Sequence, residues 1–130
     1  MTAKSVDSAR TGIILNVEKY RECVAFYKDL FGLKVLFETP DLTCLDYHGC
    51  YLMIEMEGVA KPEGKSMKEN STKLRFNVPD VEQALQRVRA YGLQANIEKH
   101  PWGSTINIHD PDGNRVGIRD EAGFRGQLET

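Results

Sequence analysis

Cationic surplus, paired thiols and long apolar runs are all missing from these 130 residues. Lys and Arg number 17 against 19 Asp and Glu, giving a net charge of −2. No Lys/Arg-rich run breaks that balance, so the broad positive field that gathers nucleic acid is absent and no nucleic-acid partner is expected. Only three cysteines occur, Cys23, Cys44 and Cys50, without C-x-x-C spacing. An odd, unpatterned set fits reduced thiols rather than a disulfide framework. No stretch approaches the length of a membrane span, and the first ten residues, MTAKSVDSAR, hold no apolar signal core. A cytoplasmic protein without a membrane partner is the expectation. The G-x-S-x-G elbow, the P-loop and G-x-G-x-x-G are likewise missing, and no cysteine has an identifiable base beside it, so nucleophilic catalysis finds little support.

What is present is an ordinary globular composition, 41% apolar and 28% charged, on a chain long enough for one domain. That domain carries a repeat. GIILNV (12–17) precedes a helical pattern in which Tyr20, Cys23, Val24, Tyr27 and Leu30 recur at three- and four-residue steps, stopped at Gly32. KLRFNV (73–78) precedes a second pattern through Val81, Leu85, Val88 and Tyr91, opened by Asp80 and Gln83 as a capping box and stopped at Gly92. After each helix follow an extended segment and a strand–turn–strand unit, 33–56 and 93–120. The chain thus reads as two strand–helix–three-strand modules. Module one runs over 10–58 and module two over 71–120, with tails at 1–9 and 121–130. Between the modules, 58–72 is rich in Lys, Glu and Ser and reads as a polar, mobile linker. Such a pattern predicts an α+β class with helices on one sheet face.

The stretch HDPDGNRVGI (109–118) has the chemistry of a tight turn, with Asp110, Pro111, Asp112 and Gly113, before the alternating strand Arg115–Val116–Gly117–Ile118. A glycine inside that strand needs a reason. Alternation also sorts the other strands. It sends Leu74, Phe76 and Val78, Leu52, Ile54 and Met56, and Val116 and Ile118 toward the helices. Tyr51, Met53, Glu55, Lys73, Arg75, Asn77, Arg115 and Gly117 are left on the open side, together with Thr105, Asn107 and His109.

The segments NVEKYRECVAFYKDLFGLKV (16–35), NVPDVEQALQRVRAYGL (77–93), PWG (101–103) and DPDGNRVGI (110–118) together resemble the vicinal oxygen chelate superfamily, which includes glyoxalase I, extradiol dioxygenases and bleomycin resistance proteins. The resemblance implies paired βαβββ modules in an incompletely closed barrel with a concave cleft and outer helices, and commonly a homodimer. In metal-dependent relatives, four strand positions hold His, Gln or Glu. Those positions fall here on Gly12, Glu55, Lys73 and Gly117. Two have no side chain and one is an ammonium, so neither a metal nor any other cofactor is expected. His48 and His109 read as turn histidines, whereas His100 could reach the cleft mouth.

The resemblance also implies that Trp102 borders the cleft, since the matching Trp-Gly pair does so in bleomycin resistance relatives. The alternative for a loop tryptophan is a packing lid. The expectation is therefore a metal-free protein that sequesters a polar or anionic aromatic molecule. Its expected contacts are Trp102, Tyr51, Met53, Glu55, Arg75, Asn77, Arg115 and His100. A glyoxalase-type isomerase, lyase or dioxygenase with non-standard ligands is the alternative, and a purely structural module is a third reading.

Overall fold

The computed structural model describes residues 5–130, so the first four residues of the 1–9 tail lie outside the described part. The chain divides into two compact units, 1–59 and 60–130. The first contains β1 (Gly12–Asn16), α1 (Tyr20–Ala25), β2 (Val35–Thr39), β3 (Leu42–Tyr47) and β4 (Cys50–Glu55). The second contains β5 (Lys73–Val78), α2 (Val81–Ala90), β6 (Glu98–His100), β7 (Gly103–His109), β8 (Arg115–Asp120) and α3 (Glu121–Leu128). Each holds one four-stranded mixed sheet, ordered β1-β4-β3-β2 and β5-β8-β7-β6, and neither sheet closes on itself. The α+β class and the strand–helix–three-strand repeat are as expected from the sequence.

The first strand of each unit pairs in parallel with the last, and the remaining pairings are antiparallel. Parallel neighbours need a long crossover, and the helix supplies it. In unit one α1 continues into a wider π-helical turn at Phe26–Leu30. That turn brings the adjacent Phe26 and Tyr27 both inward, at 1% and 0% exposure, and their rings meet edge to face at 4.9 Å. Cys23, Leu45, Leu52 and Ile54 complete this core, and Tyr20 shares a 2.5 Å hydrogen bond with Thr43 beneath the helix. In unit two Leu85 and Val88 of α2 bury against the sheet, whose helix side carries Leu74, Phe76, Ile106, Ile108, Val116 and Ile118. Burial of each such side chain contributes about 2 kcal/mol. Asp80 caps α2 by accepting from the Gln83 amide at 3.1 Å, as its spacing predicts.

Three features depart from the sequence reading. Met56 is 42% exposed, because β4 ends at Glu55 and no sheet holds the next side chain against the helix. Thr105 is buried at 3% exposure although it sits on the open side of β7, where the His100 ring hydrogen-bonds it at 3.1 Å. Residues 58–72 are not free chain. The Lys61 amide donates to the Asp112 carbonyl and the Lys65 amide to the Gly113 carbonyl, each at 2.9 Å. Lys65 Nζ and Asn70 Nδ2 converge on the Asn114 side chain at 2.9 and 3.1 Å. The turn they clasp is itself polar and buried, with Asp110 accepting from the amides of Asp112 and Asn114 and from the Asn114 side chain. The linker thus supplies the cation and donors that make burial of those groups tolerable.

Candidate functional site

The open face of the second sheet is organised around Gly117. Its register neighbours are Arg75 on β5 and Asn107 on β7, with Lys73 and His109 flanking Arg115 one step along. A Cβ at Gly117 would stand 3.1 Å from Arg75 Nε and 3.2 Å from Lys73 Cε. The missing side chain is therefore what lets the Lys73 stem cross β8. Beyond it, Lys73 Nζ donates to Asn107 Oδ1 at 2.6 Å, and Asn107 Nδ2 donates to Glu98 Oε2 at 3.2 Å. An ammonium, an amide and a carboxylate so form a line across the sheet.

Three cations share this end: Lys73, Arg75 and Arg115. Partial burial pulls the Lys73 pKa below its ordinary value, the charges of Arg115 and Arg75 push the same way, and Glu98 opposes them. Arg115 is half-buried, and among the described residues no hydrogen bond or ion pair engages its guanidinium.

The other end of β8 carries the aromatic groups. Arg119 lies two pairs beyond Gly117, in register with Asn77 and Thr105. Its guanidinium sits over the Trp102 ring at 4.8 Å and the Phe124 ring at 5.4 Å, and it donates to the Trp102 carbonyl at 3.1 Å and to Gln127 at 2.8 Å. The His100 ring lies parallel to Trp102 at 4.5 Å. Trp102 keeps 38% exposure, so its ring serves as packing while still presenting surface. Asn77 donates to Glu121 at the start of α3. The structure therefore groups Lys73, Arg75 and Arg115 at one end and Trp102, His100 and Asn77 at the other. Four residues of strand, about 13 Å, separate Arg115 from Arg119.

Arg119 and α3 were missed from the sequence, although Asp120 followed by Glu121 is a capping signal. Asp120 accepts from the amides of Ser104 and Gly123, each at 2.8 Å. These bonds, the Ser104 bond foremost, hold its carboxyl below the ordinary carboxylate pKa.

The open face of the first sheet carries Tyr51, Met53 and Glu55 from β4, each half-buried. The Tyr51 ring covers Gly12, its register partner, so closely that a Cβ there would overlap the ring. Gly12 and Gly117 are thus each roofed by side chains from the neighbouring strand. Gly12→Ala is expected to destabilise the protein by about 1–3 kcal/mol through this overpacking. In Gly117→Ala only flexible side-chain atoms must yield, so less than about 1 kcal/mol should be lost. Denaturant titration of the two variants checks the ranking.

At the end of the same sheet, Asn16, Asp41, Glu55, Met56 and Glu57 line an open cavity of about 380 Å³. Cys44, in register with Met53, is buried at 2% exposure, and burial raises its thiol pKa, which leaves it an unreactive thiol.

Hydrogen-bond register revises one equivalence. Gly12 stands beside Tyr51 and Lys73 beside Arg115, so the counterpart of Gly117 in unit one is Met53, not Glu55. Met53 is no better a ligand for a hard divalent ion. Among the described residues, no group of three His, Cys, Asp or Glu side chains is placed to hold a metal ion. The donor set at Gly12, Glu55, Lys73 and Gly117 does not fit the metal that the resemblance would bring.

No curated protein matches the chain. Among solved structures, it is similar to lactoylglutathione lyase from Agrobacterium tumefaciens, at 20% identity and TM-score 0.67, over 89% of this chain and 96% of that one. TioX from Micromonospora sp. ML1 aligns at 17% identity and TM-score 0.69, over 87% and 98%. TnmS3, an antibiotic binding protein from Streptomyces sp. CB03234, aligns at 18% identity and TM-score 0.67, over 90% and 98%. At these identities the likenesses establish the fold. The family model described as Glyoxalase/Bleomycin resistance protein/Dioxygenase superfamily matches residues 9–118, and with the repeat and the topology it places this chain within that superfamily.

Proposed function

We propose that the protein is a metal-free binder of a polar or anionic aromatic molecule, acting in the cytoplasm as a homodimer. The observation that carries this reading is the cationic end of the second sheet. Lys73 and Arg75 border the gap at Gly117 with Arg115 beside Lys73 in register, and Glu98 is linked to Lys73 through Asn107. A carboxylate or phenolate entering this end would meet charge-assisted donors, each contributing about 1.5–3 kcal/mol. Trp102 and His100 offer ring surface at the far end of the same strand. A ligand engaging both ends must span about 13 Å, which asks for two or three fused rings rather than one. On the first unit's own open face, Tyr51, Met53 and Glu55 present an aromatic ring, a thioether and a carboxylate as candidate contacts in their own right. The likeness to TnmS3, an antibiotic binding protein, supports a sequestering role.

Anthraquinone-2-carboxylate and benzoate, with anthraquinone-2-carboxamide as the neutral control, test this by thermal shift and calorimetry. The carboxylates should bind, the amide should not, and Arg115→Gln should weaken binding about tenfold, equivalent to about 1.4 kcal/mol. Trp102→Ala should weaken anthraquinone-2-carboxylate and leave benzoate unchanged. Pretreatment with EDTA or Zn²⁺ should alter neither affinity. Equal binding of acid and amide would reject the anionic site, and stoichiometric metal in protein purified without chelators would reject the metal-free reading.

A further inference from the structure

We infer that Lys73 is an amine nucleophile that captures aldehydes or ketones bearing an anionic group, as a reversible imine on the open face of the second sheet. This rests on the anion-binding reading above and extends it from contact to covalent chemistry.

The argument begins with placement. The Lys73 stem lies across the gap at Gly117, and Nζ is held by one hydrogen bond to Asn107 Oδ1 at 2.6 Å. A lysine becomes nucleophilic at neutral pH when its ammonium is disfavoured by partial desolvation or by neighbouring cations. Both conditions hold here. The residue is half-buried, Arg115 stands directly beside it in register, and Arg75 follows on its own strand. The other chargeable groups on this face are His109 and Glu98, contributed by β7 and β6, with His100, Arg119 and Glu121, the last bonded to Asn77 from α3, toward the far end. Glu98 favours the ammonium, and it lies behind the Asn107 amide. Burial and the two arginines accordingly lower the Lys73 pKa.

Arg115 also selects the carbonyl compound. A carboxylate drawn to Arg115 carries its aldehyde or ketone to the amine, replacing a bimolecular encounter with a held one. The Nζ lone pair then forms a C–N bond as the carbonyl π pair moves to oxygen, which takes up a proton. The nitrogen sheds one proton to give the carbinolamine, whose hydroxyl takes up a proton and leaves as water while the C=N bond forms, and the iminium nitrogen then releases its second proton to give the imine. The balance is amine plus carbonyl to imine plus water, with no oxidant or reductant consumed.

The test uses the full chain with 4-carboxybenzaldehyde and sodium cyanoborohydride at pH 7, followed by intact mass and peptide mapping. Its methyl ester is the neutral control. Exposed Lys28, Lys34, Lys68 and Lys99 serve as internal references. Lys73 should be reduced to the secondary amine about tenfold faster than these, the preference expected of a desolvated lysine flanked by cations. The methyl ester should lose that preference, and Lys73→Arg should abolish the fast phase while keeping the melting temperature. Arg115→Gln should shift the pH midpoint of Lys73 labelling upward.

Even labelling of all lysines would overturn the inference, as would a Lys73 midpoint that Arg115→Gln leaves unmoved. Benzoate binding read in parallel separates the two levels. If benzoate binds through Arg115 but labelling is even, the imine alone falls. If benzoate also fails to bind, the anion-binding reading falls with it.

Discussion

Gly113→Ala is expected to destabilise the second unit by about 3 kcal/mol. Gly113 adopts φ 88°, in the left-handed region that L residues rarely occupy. That alone costs about 1–2 kcal/mol. The added carbon would also overlap the Lys61 carbonyl oxygen, a backbone atom that cannot rotate away. Relief requires the 60–70 segment to lift from the turn. Lifting breaks the Lys61 and Lys65 amide bonds to the Asp112 and Gly113 carbonyls, and it withdraws Lys65 from Asp112 and Asn114. Asp112, fully buried, would lose the Lys65 ammonium that stands 4.0 Å from it. Urea denaturation should show the midpoint falling with little change of slope. A loss under 1 kcal/mol would mean that the linker is not clasped to the turn as described. Ala60→Gly, in the same segment but with no such collision, serves as the reference.

The clasp marks where sequence legibility ends. Both modules, helices α1 and α2 and, Met56 apart, the helix-facing strand residues could be read because they are periodic. A strand buries every second residue and a helix every third or fourth, so Leu74, Phe76, Leu85 and Val88 announce their positions locally. The pairing of Gly117 with Met53 could not be read by counting through turns of unequal length. Only His48 and Gly49 separate β3 from β4, whereas five residues, 110–114, separate β7 from β8. The segment 58–72 looks solvated by composition, yet Lys65 and Asn70 satisfy a buried turn more than forty residues away, a pairing no local pattern encodes. For the site, parity correctly set Lys73, Arg75 and Arg115 on one face. What parity could not show is that Lys73 crosses β8 through the space at Gly117, or that Trp102 already stacks on His100 and meets Arg119. Helix α3 was hidden by Gly123 and Gly126, which lower helix propensity by about 1 kcal/mol each.

Asp120→Ala should release α3 and remove about 2 kcal/mol of stability, and the chain's single tryptophan should report the event. The Asp120 carboxylate caps α3 through the Gly123 amide while its other oxygen holds the Ser104 amide at the start of β7. One side chain thus ties the helix to the sheet. Gly123 is the residue that permits the close docking, because a Cβ there would press on Asp120 and on the Trp102 carbonyl. With the cap gone, Gln127 and Phe124 leave Arg119, and the cation above Trp102 loses two of its restraints. Trp102 emission should therefore shift to the red in Asp120→Ala, before global unfolding begins.

Acid should produce the same change in the unaltered protein. The folded carboxyl is held below its unfolded value, so its stabilisation is complete above about pH 4 and disappears as pH falls through the folded pKa. Asp120→Asn keeps an acceptor for the cap but cannot titrate, and its Trp102 signal should stay flat across that window. An acid transition of equal size in Asp120→Asn would assign the change to other carboxylates and remove Asp120 from its role as the tie.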